Sequence, residues 1–273
     1  MIAALALVRP WRARRAVMSI HVGHRSRGGR YPAAAEAEVG LVVNVAAKLS
    51  PTALARLNRK VFPPAILVEG RWVPVDVQES GGQGRFESMV GRQVDAGPTP
   101  LRGAVGLVVE RGGAKFLLTA AHVAQQEQWS VVTHQGPAVV ARRWFGDRLD
   151  HALLEVQGPL SSTAAHLRDG SQLTGVRAVD FQLVGAEVLL FHADNGRVDA
   201  TTVRDVGVTY PFQGTQFRGL IRTDACSRAG DSGTLLFDRC RRAIGTLVGR
   251  TDHHSFFLPC DTSLARLHAT PIC

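Results

Sequence analysis

Lysine is nearly absent from this sequence. Lys48, Lys60 and Lys115 are the only three among 273 residues, so 29 of the 32 basic residues are arginines. Cysteine is scarce too. Cys226, Cys240, Cys260 and Cys273 fall in the last quarter and form no C-x-x-C pair. That is too few for a disulfide framework in a chain this long, and no standard zinc spacing is present. No apolar run reaches the roughly 18 residues of a membrane helix, so no membrane span is expected. There is no internal repeat and no long low-complexity tract. The start also lacks the order of a secretory leader: apolar Met1–Val8 precedes basic Arg9–Arg15, the reverse of the usual sequence. The expectation is a cytoplasmic protein that starts at Met1 or at Met18.

Acidic residues are missing from the first thirty-five positions. Arg9, Arg12, Arg14, Arg15, Arg25, Arg27 and Arg30 all precede Glu36. Removing those seven leaves 25 basic against 23 acidic residues, so only +2 of the net charge of +9 belongs to the rest of the chain. The high net charge by itself suggests a nucleic-acid partner. Its confinement to one end, with only Trp11 and Tyr31 as interleaved aromatics, argues against one.

What the chain does contain points to β structure. It is 45% hydrophobic and 20% charged, with 28 glycines and 13 prolines. That composition suits a sizeable core built from many short strands and turns. Residues 1–38 read as a flexible basic arm. Residues 39–79 read as a small α/β segment: a strand at Leu41–Ala46, a helix at Pro51–Lys60 capped by Ser50, and strands at Ala65–Val68 and Arg71–Val77. Residues 80–100 read as a linker. From 101 to 273 short strands recur, among them Lys115–Thr119, Ala138–Phe145, Ala152–Val156, Val198–Val206, Thr234–Phe237 and Ala243–Gly249, with a closing helix at Asp261–His268.

Three segments carry chemistry. Phe116–Val123 is an apolar strand running into Thr-Ala-Ala-His122. Asp150 stands one step before a buried strand, with Asp147 competing for its role. Ala229-Gly230-Asp231-Ser232-Gly233 sets a serine in a glycine-flanked turn. A serine hydroxyl needs a base to become a nucleophile. An imidazole titrates in the right range to serve, and a buried carboxylate fixes its tautomer and stabilises the imidazolium. The glycines permit a tight turn that aims the amides of Gly230 and Ser232 at one point, an oxyanion hole. The order His, Asp, Ser, at intervals of 28 and 82 residues, is that of chymotrypsin and not of subtilisin or the α/β-hydrolases.

On the TAAH and GDSG strings and the D-x-A-L-L segment, the chain resembles the chymotrypsin/trypsin-like serine proteases, which use a Ser-His-Asp triad of this kind, in the style of compact bacterial members. The resemblance spans roughly Gly103–Leu267. It implies a mostly β fold, two antiparallel β-barrels with the site between them, and a serine endopeptidase acting on polypeptides without cofactor or metal. The catalytic residues would be His122, Asp150 and Ser232. Asp231 would make a buried ion pair that shapes the oxyanion loop. With no Ile-Val-Gly-Gly activation sequence to supply an amino terminus, an internal arginine would be its partner. The strand Ala243–Arg250 would pair with substrate, placing Val248, Gly249 and Arg250 in the binding cleft and Cys226 at the pocket floor where trypsins carry aspartate. Strict cleavage after Arg or Lys is therefore not expected. Arg250, His253 and His254 stand near the opposite wall, either favouring an acidic side chain or simply solvated. Cys226 and Cys260 match a bridged pair in some secreted relatives. A catalytically silent relative that binds protein through the same cleft is the competing reading. A metal site from His253, His254, Cys226 and Cys260 lacks the spacing.

Overall fold

The computed structural model describes residues 2–13, 17–25, 38–45, 48–50, 52–53, 61–79, 85–86, 94–96, 102–133, 136–158, 160, 166–167, 171–193, 195–212 and 214–273. The strands from residue 102 onward fall into two sheets. In the first, Leu107–Arg111 and Ala114–Thr119 form a hairpin through Gly112 and Gly113. Both glycines have positive φ (59° and 81°), as a two-residue turn matching strand twist requires. Ala114–Thr119 then pairs with Leu149–Val156, which pairs with Gly136–Gly146, and that strand with Ser130–Thr133.

The second sheet contains a closed ring. Glu187–Phe191, Leu235–Phe237, Arg242–Arg250, His254–Pro259, Thr215–Asp224 and Val198–Phe212 pair in that order, and the last pairs back to the first. The strand Val198–Phe212 is longer than expected. Alternation continues past Val206 because Gly207, at φ 73°, sits where the register shifts between Asp205 and Val208. Such a bulge bends a strand without ending it. His254–Pro259 is a strand that the sequence pattern does not announce. All six of its residues are buried, so it shows no polar alternation.

Strand faces divide the core. Val108, Leu117 and Leu154 fill the first sheet's own interior. Their neighbours Leu107, Val109, Leu118 and Leu153 face the other way, against Leu235, Phe237 and the helix residues Cys260, Leu264 and Leu267. This apolar layer joins the two sheets. The closing helix runs Cys260–Leu267 and ends on His268 in the left-handed conformation, close to the expected position.

The amino-terminal part differs from the flexible arm expected for residues 1–38. Ile2–Leu7 is helical, and Val17–His24 is a strand antiparallel to Val39–Val45. Ala4, Val8 and Ile20 are buried with Leu41, Val43 and Val75. Val39–Val45 runs parallel to Arg71–Glu79, which forms the expected hairpin with Ala65–Val68. Arg25 is paired with Glu38 at 2.7 Å. The apolar residues among the arginines, not the arginines, decide where this segment goes. Residues 26–37, and the helix expected at 51–60 apart from Thr52 and Ala53, lie outside the described residues. At the start of that helix the Ser50 hydroxyl accepts the Ala53 N–H at 3.2 Å, as a cap should.

A buried polar cluster bolts this segment to the ring. Arg222 and Asp205 are 1% and 0% exposed. The Arg222 Nε–H donates to Asp205 at 2.5 Å, and its other nitrogens donate to Asn44 (3.0 Å) and Gln78 (2.9 Å). His21 stands 3.1 Å from the same carboxylate. Burial raises the Asp205 pKa, but Arg222 and His21 outweigh it and hold the carboxyl below its usual range.

Candidate active site

His122 follows the end of the strand Ala114–Thr119, and Asp150 lies in Leu149–Val156 of the same sheet. Ser232 comes from the turn before Leu235–Phe237 in the other sheet. The three side chains meet. Asp150 Oδ1 accepts the His122 backbone N–H (2.9 Å), its Oδ2 faces His122 Nδ1 at 2.5 Å, and His122 Nε2 stands 2.8 Å from Ser232 Oγ. Two contacts from one carboxylate fix both the backbone and the ring of His122. The ring's outer nitrogen is thereby aimed at the serine.

Asp147 is excluded from this arrangement. It occupies a left-handed turn position (φ 49°), is more than half exposed, and faces Arg218 at 3.4 Å. Asp150→Asn is expected to lower any turnover at this site by about a hundredfold or more, whereas Asp147→Asn should leave it within about twofold. Steady-state kinetics on the two variants check this, and a larger loss in Asp147→Asn would reassign the third residue.

The serine turn is clamped between the sheets. The Ala104 N–H donates to the Ser232 carbonyl (2.7 Å) and the Gly233 N–H to that of Leu247 (2.8 Å). Gly233 has φ 87°, and a Cβ there would come within 2.6 Å of the Ala104 oxygen and 2.8 Å of the Ala120 nitrogen. Only glycine fits so close to the histidine turn. Gly230 also has positive φ, at 92°.

Asp231 organises the rest of the loop. Its carboxylate accepts the N–H groups of Ala193 and Arg228, each at 2.8 Å, and faces His192 Nδ1 at 2.7 Å. The expected arginine partner is replaced by a histidine. The strand-end string Phe-His-Ala-Asp gives no hint of this, because Asp231 lies 39 residues further on.

Sequence reasoning also missed His151. It is buried beside Asp150, with Nε2 2.8 Å from Thr246 Oγ1 across the two sheets. Burial, opposed by the Asp150 charge, pushes its pKa down to about 4. It therefore stays neutral near pH 7 and joins the Asp150 strand to Arg242–Arg250.

The expected pocket residues separate on inspection. Cys226 is half-buried, and its N–H and that of Ser227 both donate to Ser255 Oγ at 3.1 Å. Burial raises the Cys226 thiol pKa, so the thiol itself is neutral near pH 7. Val248 is 1% exposed and packs against Tyr210 and Phe256, which leaves only its backbone for any cleft contact. Gly249 and Arg250 pair with Phe86 and Arg85 of the chain itself, within the segment expected to be a linker. Cys226 and Cys260 are both free thiols. Cys260 sits in the layer between the sheets and Cys226 against the ring's interior, so the bridge implied by secreted relatives is not formed. His254 is buried with Nδ1 3.2 Å from the Thr223 carbonyl. Burial first, then the Arg222 charge, lowers its pKa to about 3, so it offers no positive charge to an acidic substrate.

Residues 104–246, just over half of the chain, match a family described as a trypsin-like peptidase domain. No curated protein matches significantly. Among solved structures, protease A from Thermobifida fusca is 22% identical with a TM-score of 0.56, over 67% of this chain and 97% of its own. The protease from Nocardiopsis is 18% identical with a TM-score of 0.54, over 68% and 100%. The chymotrypsin from Cellulomonas bogoriensis is 21% identical with a TM-score of 0.53, over 68% and 99%. The fold is mostly β and chymotrypsin-like, as the sequence resemblance implied.

Proposed function

The chain belongs to the trypsin-like peptidase family, and from that membership we propose that it is a serine endopeptidase working through an acyl-enzyme. The observation that carries the proposal is His122 held between the Asp150 carboxylate and Ser232 Oγ, at 2.5 and 2.8 Å. Ser232 Oγ attacks the carbonyl carbon of the scissile peptide while its proton passes to His122 Nε2. The oxyanion rests on the Gly230 and Ser232 amides. As the intermediate collapses, the C–N bond breaks and His122 returns the proton to the leaving amine. Water then attacks the ester by the same route, which releases the new carboxyl terminus and restores Ser232. Asp150 stabilises the imidazolium in both halves.

The pocket corner at Cys226, Ser227 and Ser255 is hydroxyl-lined, with a neutral thiol. Profiling against a peptide library, with Ser232→Ala as control, is expected to give cleavage after residues other than Arg or Lys. Dominant cleavage after basic residues would overturn the pocket assignment. A fluorophosphonate probe is expected to label Ser232 in folded protein. Absence of labelling would overturn the peptidase proposal and leave the cleft as a binding surface.

A further inference from the structure

His151 follows Asp150 directly, so alternation along the strand sends the two side chains to opposite faces. Asp150 shares its face with Ala152 and Leu154, and His151 turns with Leu153 into the layer between the sheets. There it is 1% exposed, and its Nε2 meets Thr246 Oγ1 of the second sheet at 2.8 Å. Its Nδ1 has no hydrogen-bond partner among the described residues. A neutral imidazole carries a single N–H, and burial keeps this ring neutral. The N–H belongs on Nε2, donating to the threonine, because a buried donor without a partner is costly. Leu153, two residues on, shows that the layer accepts an apolar side chain. Packing alone therefore does not account for a histidine here.

Resting on the peptidase reading, we infer that His151 is a positioning residue: through Thr246 it sets the spacing between the His122–Asp150 pair on the first sheet and Ser232 on the second. The path is short. His151 adjoins Asp150 in the chain, and Thr246 adjoins Leu247. The Leu247 carbonyl accepts the Gly233 N–H at 2.8 Å, and its own N–H donates to the Thr234 carbonyl at 2.9 Å. Gly233 adjoins Ser232. Two other ties between the sheets lie nearby. The Ala104 N–H bonds the Ser232 carbonyl while the Ala104 carbonyl accepts the Thr119 hydroxyl, and the Arg218 N–H donates to the Asp147 carbonyl, each at 2.7 Å. Both pass through residues that stand between strands. The His151–Thr246 bond joins strand to strand, and so fixes the register of one sheet on the other. The proposed substrate contacts, at the Cys226 corner and on the Gly249 backbone, lie on the same side as Ser232. A slip between the sheets spares binding and moves the base away from the nucleophile.

The test measures kcat, KM and thermal unfolding for the parent and its variants, all as the full chain. His151→Gln places an amide nitrogen where the ring Nε2 stands and should keep kcat within about threefold of the parent. His151→Asn is too short to reach Thr246, and His151→Leu has no donor. Each should lose about ten- to a hundredfold in kcat with KM changed by no more than about twofold. Thr246→Val should behave like His151→Leu. Combining His151→Leu with Thr246→Val leaves no polar group unpaired, so this protein should melt close to the parent. Its kcat should stay low, but no lower than in the single variants. A merely structural role makes the opposite demand: rate recovers with stability, and kcat and KM worsen together.

The ring nitrogen shifts of His122, measured by NMR, supply a readout that needs no turnover. They should move in His151→Leu and stay at the parent's values in His151→Gln. That pattern in a chain that hydrolyses no peptide would support the His151 role while overturning the peptidase reading. An active parent with unchanged kcat in His151→Leu, or a double variant that regains rate along with stability, would overturn the His151 role and leave the peptidase reading standing. Equal losses in His151→Gln and His151→Leu would do the same.

Discussion

Ser232→Ala is expected to abolish peptide hydrolysis, with a loss of roughly 10^3- to 10^6-fold from the parent rate, while leaving the fold in place. The alcohol oxygen is the only heavy atom removed. The bonds that position the turn, from Ala104 N–H to the Ser232 carbonyl and from Gly233 N–H to the Leu247 carbonyl, belong to the backbone and survive. Thermal unfolding should therefore match the parent closely. If Ser232, His122 and Asp150 act as one unit, as proposed, adding His122→Ala should cost little more than either change alone. Multiplicative losses would mean that the two residues work independently, and wild-type turnover in Ser232→Ala would end the assignment.

Arg222→Met is expected to be the most damaging change outside the active site. It leaves Asp205 charged and fully buried without its arginine, at a cost of about 3–5 kcal/mol. For a chain of this size that lowers the melting temperature by roughly 6–20 °C. Pairing it with Asp205→Leu removes both charges and should recover most of the loss. If the double variant melts lower still than Arg222→Met, the ion pair itself is stabilising. The depressed Asp205 carboxyl fixes the sign of the pH response. Its contribution is fully present above the unfolded-chain value of about 3.9 and disappears as pH falls through the lower native value. Acid unfolding of Arg222→Met should accordingly lack part of the parent's dependence.

The contrast between these two sites explains what the sequence disclosed. His122, Asp150 and Ser232 each sit at the boundary between an apolar strand and a polar turn, so each leaves a local signature of a few residues. Their order then points to one fold. Asp147 remains a competitor of Asp150 in the sequence, and only the backbone shows the left-handed turn at Asp147 that leaves it exposed beside Arg218. His192 leaves no such signature: its partner Asp231 is brought to it by the ring of strands. The first strand, Val17–His24, hides for a related reason. Its His21 looks polar and exposed until Asp205 and Asn44, from two other strands, surround it. Local pattern reports what a residue does to its neighbours in the chain. Partners distant in sequence emerge only once the sheets have closed.

The pairing of Arg85–Phe86 with Gly249–Arg250 bears on how a peptide would gain entry. An open strand edge accepts almost any extended chain, and here the protein's own backbone already covers that stretch. A peptide binding there does so by exchange. Its main-chain hydrogen bonds replace others of the same kind and so nearly cancel, and a tethered rival is never diluted away. What exchange would not cancel is a side chain entering the proposed pocket corner at Cys226, and discrimination among peptides would fall to that contact.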